Sequence, residues 1–395
     1  MSRLGKLIQQ LCPDGVEYKT IGEIAIEIFR GSGITREQVT EAGAPCVRYG
    51  EIYTTYGVWF DACVSHTDES TITNKKYFEH GDILFAITGE SVEDIAKCSA
   101  YIGQERCLAG GDIVVLRHNQ DPKYLSYALS TTDAQKQKSK GKVKSKVVHS
   151  SVPAIKEIIV PIPPLEVQRE IVRILDQFTE LTAELTAELT ARKKQYEYYR
   201  DELLHKKSFH DIRECRLGEV ADIHTGCKPD DILDEHSEFE YINAGTTNSG
   251  YVKTPNCPGD TVTTPSRGQG GIGFVGYQSK PFHLGPLCYS IRSSDENIIT
   301  NKFIYYWLSS HTGDILAFKK EGGTPALNRG DLMGLRLCVP HISVQHRIVS
   351  ILDRFDALCN DLTSGLPAEI EARRKQYEYY RDKLLTFKVK ASDSF

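Results

Sequence analysis

QREIVRILDQF at residues 168–178 and QHRIVSILDRF at residues 345–355 are one phrase written twice. A second pair follows in the same order, RKKQYEYYRDELL at 192–204 and RRKQYEYYRDKLL at 373–385. Two such blocks in the same order exclude chance and make the chain a tandem duplication. A weaker echo opens each half, Ile21-Gly22-Glu23-Ile24-Ala25 against Leu217-Gly218-Glu219-Val220-Ala221. The organisation is variable region, repeat, variable region, repeat, in which similar helices carry dissimilar domains.

The repeats read as helix because no proline interrupts residues 165–213, and Ile171, Leu175, Phe178, Leu185, Leu189, Tyr196, Tyr199 and Leu203 recur at spacings of three, four or seven. About 40 residues rising 1.5 Å each span roughly 60 Å, more than a helix inside one globular domain needs. Two matching stripes predict that the helices pair antiparallel. Ile348, Leu352, Phe355, Tyr377 and Tyr380 are the second-copy positions of that seam. The copies differ in length, since fourteen positions separate Phe178 from Arg192 and eighteen separate Phe355 from Arg373. Gly365 followed by Pro367 predicts a break and restart in the second copy. The first copy holds a perfect tetrapeptide duplication, Thr182-Ala183-Glu184-Leu185 and Thr186-Ala187-Glu188-Leu189. Each such unit adds about 6 Å of helix, so it is read as a ruler between the flanking domains.

The variable regions carry β-branched residues between glycine, proline and asparagine breakers at 82–86, 112–116, 158–162 and 334–339, with helical spacing at 122–130 and 300–309. The expected fold is α/β (α+β), two mixed-sheet domains in tandem joined to the two long helices. Boundaries are expected at 1–160 for the first domain, 161–210 for the first helical spacer, 211–340 for the second domain and 341–387 for the second helical region, with 388–395 as a flexible tail. Composition fits this reading: 395 residues, 40% hydrophobic and 26% charged, exceed one ordinary core. No run of eighteen apolar residues and no signal peptide after Met1 occur, so a cytoplasmic location with no membrane partner is expected. Eleven scattered cysteines without a C-x-x-C pair read as reduced thiols, and His66, His80 and His224 lack metal spacing.

These blocks resemble the specificity subunits of Type I restriction-modification systems over essentially the whole chain. The residues that carry the resemblance are VPIPPLEVQ at 160–168 leading into IVRILD at 171–176, RKKQYEYYRD at 192–201, and their second copies. The second copy departs in having Val339-Pro340-His341 where the first has the longer proline run. The resemblance implies two target-recognition domains, each reading half of a bipartite site on double-stranded DNA, with the helices setting the unread spacer. It implies that two modification subunits dock on the chain and that restriction subunits join them. Adenine methylation with S-adenosylmethionine, and cleavage driven by ATP with Mg2+, would belong to those partners, leaving this chain without a catalytic residue or bound cofactor.

The residues agree on the missing chemistry, because neither an N/D-P-P-aromatic pocket for a flipped adenine nor a phosphate-binding loop occurs. The one G-x-G-x-x-G, at 271–276, precedes no helix and reads as a glycine-rich hairpin. Candidate DNA contacts are polar side chains on small-residue turns. In the first domain they are Arg48, Tyr49, Thr88, Glu90 and Ser91, with Lys140, Lys142, Lys144 and Lys146 from a row of lysines at every even position from 136 to 146. If extended, that row spaces its ammonium groups about 6.6 Å apart, near the phosphate repeat, although a solvated loop or a lysine-guarded edge strand fits as well. In the second domain they are Ser266, Arg267, Gln269, Thr324 and Asn328, where arginine suits guanine and glutamine suits adenine, or where a simple turn exposes solvated side chains. Tyr196, Tyr198 and Tyr199 beside Arg192, Lys193 and Lys194 are read as helix-pair core and partner docking, with backbone contact to DNA as the other reading. The net charge of −5 opposes a freestanding DNA binder and leaves open a coiled-coil scaffold that binds no DNA.

Overall fold

The computed structural model describes residues 2–140, 147–205, 212–233, 238–268, 270–320, 325–361 and 363–390. They form two compact units, residues 1–184 with 370–395, and residues 185–369.

The first unit holds two five-stranded sheets. One runs Ala25–Arg30, Ile113–His118, Ile83–Ala86, Cys98–Tyr101, Trp59–Phe60, and the other Val39–Thr40, Ser65–Thr67, Ala44–Val47, Cys107–Ala109, Tyr77–Phe78. The central strand Ile83–Ala86 is buried at every position, which is why it reads as a continuous apolar run rather than an alternating one. The second unit repeats the plan with fewer strands: Ala221–Thr225, Cys288–Ser293, Thr261–Pro265, Gly276–Gln278 in one sheet and Tyr251–Val252, Phe239–Ile242, His283–Leu284 in the other.

The duplication reaches into pairing and register. Ile113–His118 lies antiparallel between Ala25–Arg30 and Ile83–Ala86, as Cys288–Ser293 lies between Ala221–Thr225 and Thr261–Pro265. Ala44–Val47 pairs parallel with Cys107–Ala109, as Phe239–Ile242 does with His283–Leu284. The domains that look dissimilar in sequence are thus one topology, and mixed parallel and antiparallel pairing is its signature. The glycine-rich stretch at 271–276 does connect a hairpin, since Thr261–Pro265 and Gly276–Gln278 pair antiparallel.

The long helix runs unbroken over Leu165–Leu204. Within the first unit its buried Val167, Ile171 and Leu175 share a core with Leu385 and half-buried Tyr377, and Phe178 stacks on Tyr380 at 5.6 Å between ring centroids. Within the second unit, Tyr196 and Leu204 share a core with Ile348 and Leu352, and Tyr196 and Tyr199 meet Phe355 at 6.3 and 6.0 Å. The early half meets the later C-terminal helix and the late half meets the earlier one, the order an antiparallel pair requires. Leu185 and Leu189 are only half-buried. The second repeat is split as expected, into Ile342–Asn360 and Leu366–Leu384. Asp361 holds the break by accepting from the Thr363 backbone N–H and hydroxyl and from the Ser364 hydroxyl, which keep its carboxyl down at about 2. A Cβ on Gly365 would stand 2.5 Å from the Ala357 carbonyl oxygen, so only glycine fits there.

The repeated phrase locks each domain to its helix. Gln168 is fully buried, accepts from the Asp121 N–H at 3.0 Å and donates to the Pro163 carbonyl at 2.8 Å. Gln345, also fully buried, accepts from the Thr300 N–H at 3.0 Å and donates to the Pro340 carbonyl at 2.9 Å and the Ile298 carbonyl at 2.8 Å. Asp121 and Thr300 are the N-caps of Pro122–Leu129 and Asn301–Ser310, so each glutamine fixes the start of one domain helix. The aspartates act on the same two helices: Asp176 takes Lys123 at 2.8 Å and the Tyr127 hydroxyl at 2.8 Å, and Asp353 takes Lys302 at 2.9 Å and the Tyr306 hydroxyl at 2.5 Å. Burial, reinforced by the aspartate charge, pushes both phenols up, so they remain donors. Buried amides must be fully paired, and an orphaned partner costs about 1 to 3 kcal/mol. Gln345→Met, which keeps the length and removes all three bonds, is expected to lower the second unit's stability by about that amount, read as a lower urea midpoint. Asp353→Asn should lose less, because that carboxylate is half exposed. An unchanged midpoint for Gln345→Met would show that the glutamine does not hold the joint.

Candidate nucleic-acid interface

The matching registers align the candidate turns of the two domains. Ile113 pairs with Ala86 and Cys288 with Pro265, so Thr88 and Gly89 occupy the places of Arg267 and Gly268. The flanking bonds agree: the Ile87 N–H donates to the Asp112 carbonyl at 3.0 Å, and the Ser266 N–H to the Leu287 carbonyl at 2.9 Å. Each turn is then braced by a segment from further along its domain. Thr88 and Gly89 pair with His149 and Val148, while Arg267 bridges to Ala326 and the Gly268 N–H donates to the Pro325 carbonyl at 3.1 Å. The two sets of turn residues singled out in the sequence are therefore the same place in one fold.

A second strip of this rim follows the parallel strand pair. The Gly110 N–H donates to the Val47 carbonyl at 2.8 Å and the Gly285 N–H to the Ile242 carbonyl at 2.7 Å, which gives Arg48 and Asn243 the same place in their domains. The Ser32 N–H donates to the Ala109 carbonyl and the Cys227 N–H to the Leu284 carbonyl, which sets Arg30 against Thr225. At these two positions the first domain is charged and the second is not. The strips touch within each domain: the Tyr53 hydroxyl bonds the Ala86 carbonyl at 3.3 Å, and a Cβ on Gly271 would meet the Gly245 nitrogen at 3.1 Å.

In the first domain the rim encloses a groove of 840 Å³ whose walls include Gly31, Gly33, Gly110 and Gly111. Arg48 lies at its edge, bonded through Nε to Glu51 at 3.2 Å, and the buried Glu51 also accepts from Ser65 at 2.7 Å. Arg30 donates to the Gly111 carbonyl at 2.6 Å and pairs with Asp112. Tyr49 presents an exposed ring beside them. In the second domain a smaller groove of 210 Å³ is lined by Thr246, Thr247, Asn248 and Gln278.

Several candidates have other employment. The Thr88 hydroxyl meets His149 at 3.2 Å, Ser91 donates to Glu93 at 2.7 Å, and Glu90 is exposed. Asn328 caps Arg329–Met333 and gives its amide to Asp331 at 3.1 Å. Arg267 and Ser266 are solvent-accessible. The extended reading of the lysine row is corrected at Lys136 and Lys138, because Thr132–Ser139 is helix and throws alternate residues onto different faces. Lys138 is buried over Phe85 with Cys98 Sγ at 3.8 Å, and burial pushes its ammonium pKa down. Lys140 is exposed at the end of that helix, while Lys142, Lys144, Lys146, Gln269 and Thr324 lie outside the described residues. Sequence reasoning missed Arg30 and Arg36, because neither belongs to a motif and only the fold places them in the groove. Among the described residues no cluster of His, Cys, Asp or Glu is placed to hold a metal ion, and no helix is long and apolar enough to cross a membrane.

One domain fold, twice latched to a helix and carrying two differently composed rims, defines a class of paired recognition scaffolds. The chain belongs to the family of the Type I restriction modification DNA specificity domain, whose model matches residues 13–192 and 210–372. It is 36% identical over 266 residues to the Type I restriction enzyme EcoR124I/EcoR124II specificity subunit of Escherichia coli, a match covering 59% of this chain and 63% of that one. It is 33% identical over 304 residues to the putative type I specificity subunit S.MpnORF89P of Mycoplasma pneumoniae, covering 70% and 85%. The crystal structure of a Type I restriction-modification S subunit from M. genitalium shares the fold, with a TM-score of 0.60 at 18% identity over 94% of this chain and 96% of that one.

The rim depends on two glycines in equivalent turns. A Cβ on Gly31 would stand 2.1 Å from the Gly110 carbonyl oxygen, and one on Gly226 would stand 1.7 Å from that of Leu284. Backbone cannot yield as a side-chain tip can, so Gly226→Ala is expected to cost about 2 kcal/mol or more and to raise amide exchange across residues 225–227 and 283–287. Wild-type exchange and stability in Gly226→Ala would show that the turn relaxes freely.

Proposed function

We propose that this chain is the DNA-recognition subunit of a Type I restriction-modification enzyme, each domain reading one half of a bipartite site on double-stranded DNA. The observation that carries the reading is the contrast within the duplication: Gln168 and Gln345, and Asp176 and Asp353, make the same bonds, while Arg30 and Arg48 of the first domain are replaced by Thr225 and Asn243 in the second. A constant joint with a changed rim suits two readers of different sequences. The chain itself does no chemistry; modification subunits contribute S-adenosylmethionine-dependent adenine methylation, and restriction subunits contribute ATP- and Mg2+-dependent cleavage in the cytoplasm. Co-expressed with its modification partner, the chain is expected to direct methylation to one bipartite motif read by methylome sequencing. Replacing residues 212–340 with those of a relative should change one half of that motif and leave the other. Loss of both halves, or methyl transfer by the pure chain, would sink the proposal, and a complex that binds no DNA would favour a scaffold.

Two modification subunits fit the second duplication. Tyr198 and Tyr199 make an edge-to-face pair at 5.4 Å and Tyr379 and Tyr380 one at 5.3 Å, with Tyr198 and Tyr379 60% or more exposed. Large exposed aromatics beside arginines are the composition of an interface centre. Like sites take like partners. Replacing Tyr198 and Tyr199 by alanine is expected to yield complexes with one modification subunit in mass photometry, as is replacing Tyr379 and Tyr380. Full occupancy in both variants would place docking elsewhere.

A further inference from the structure

We propose that the groove of the first domain seats a backbone phosphate of the bound DNA on Arg36. The inference rests on the reading of this chain as a DNA-recognition subunit. Three guanidiniums line the groove, those of Arg30, Arg36 and Arg48, against two carboxylates, Asp112 and Glu51. Asp112 is engaged by Arg30 and Glu51 by Arg48, so among the lining residues Arg36 supplies the one uncompensated charge. The glycine walls leave no side chain between that charge and an incoming strand, so a sugar-phosphate backbone can lie against the turn.

Phosphate is favoured over a base edge by the way the cations are held. Reading a base needs a guanidinium fixed by a second partner so that both its N–H groups point correctly. Arg30, held by the Gly111 carbonyl and Asp112, and Arg48, held through Nε by Glu51, are fixed in that way, whereas Arg36 is not. Arg36 is exposed as the first residue of the short helical turn Arg36–Gln38 and makes no ion pair within 4 Å among the described residues. An exposed guanidinium that no ion pair holds in one orientation suits a phosphate, which tolerates approach from many directions. In the second domain Thr225 and Asn243 stand where the first has Arg30 and Arg48, and the loop that follows carries exposed Lys228 instead of an arginine.

The test is the salt dependence of DNA binding by the full chain assembled with its modification partner, wild type against Arg36→Gln. One lost phosphate contact lowers the slope of log affinity against log salt by about 0.9. The variant's affinity deficit should therefore shrink about threefold between 50 and 200 mM salt, while the methylated motif stays unchanged. An unchanged slope would overturn the proposal, and so would a relaxed base preference in one half-site, which would make Arg36 a base reader. A wild-type complex without salt-dependent, sequence-specific binding would instead sink the underlying reading. Arg36 is exposed, so the variant's thermal midpoint should match the wild type and serves as the folding control.

Discussion

Everything in each unit hangs on a carboxylate and an amide that a long helix extends into a domain. Asp176 and Asp353 draw a lysine and a tyrosine one turn apart on a domain helix, while Gln168 and Gln345 close the N-terminus of that same helix. Buried amides tolerate only one geometry, because each donor and acceptor left unpaired costs a sizeable fraction of a domain's stability. The aliphatic stripe around them, Val167, Ile171 and Leu175 in one copy and Ile348 and Leu352 in the other, supplies attraction without direction. Direction comes from the polar pair. That explains why QxxIVxILDxF survives in both copies as a phrase rather than as a pattern of apolar residues.

The duplication, the long helix and its broken second copy were legible because they rest on identity and on helical period, which are local. The joint was half legible. Its helix side stands out twice, but its domain side, Lys123 and Tyr127 against Lys302 and Tyr306, is a lysine and a tyrosine four apart in otherwise unlike short helices. The shared topology of the two domains was not legible at all. Ile83–Ala86 and Thr261–Pro265 occupy the same strand position with no common residue pattern, since burial on both faces asks only for small or apolar groups.

The rim divides in the same way. Glycine turns flagged the Thr88 and Ser266 segments, because glycine next to polar residues marks close backbone approach. Nothing in sequence showed that these two are one position, which required the strand registers. The start of the lysine row, Lys136 and Lys138, misled because a period of two has meaning only on a strand, and the helix Thr132–Ser139 turns Lys138 inward. Arg36 carries no sequence signal; its role emerges only when the fold shows that its neighbours' charges are already matched.

Matching of that kind also resolves the conflict between an acidic chain and an anionic ligand. Asp112 and Glu51 add to the chain's net charge of −5, yet each holds an arginine in place at the groove. A guanidinium tethered to a carboxylate has less rotamer freedom to lose when a strand arrives, so carboxylates beside the groove favour a shaped surface over a merely attractive one. No joint residue named above belongs to the rim and no rim residue to the joint, so changes in one are expected to add to changes in the other rather than couple. The rim can therefore differ between the domains, with Thr225 and Asn243 where the first has Arg30 and Arg48, while the helix contacts stay fixed. Rim and joint are kept apart by the absence of shared partners, which is what allows one fold to be used twice in a chain with two different rims.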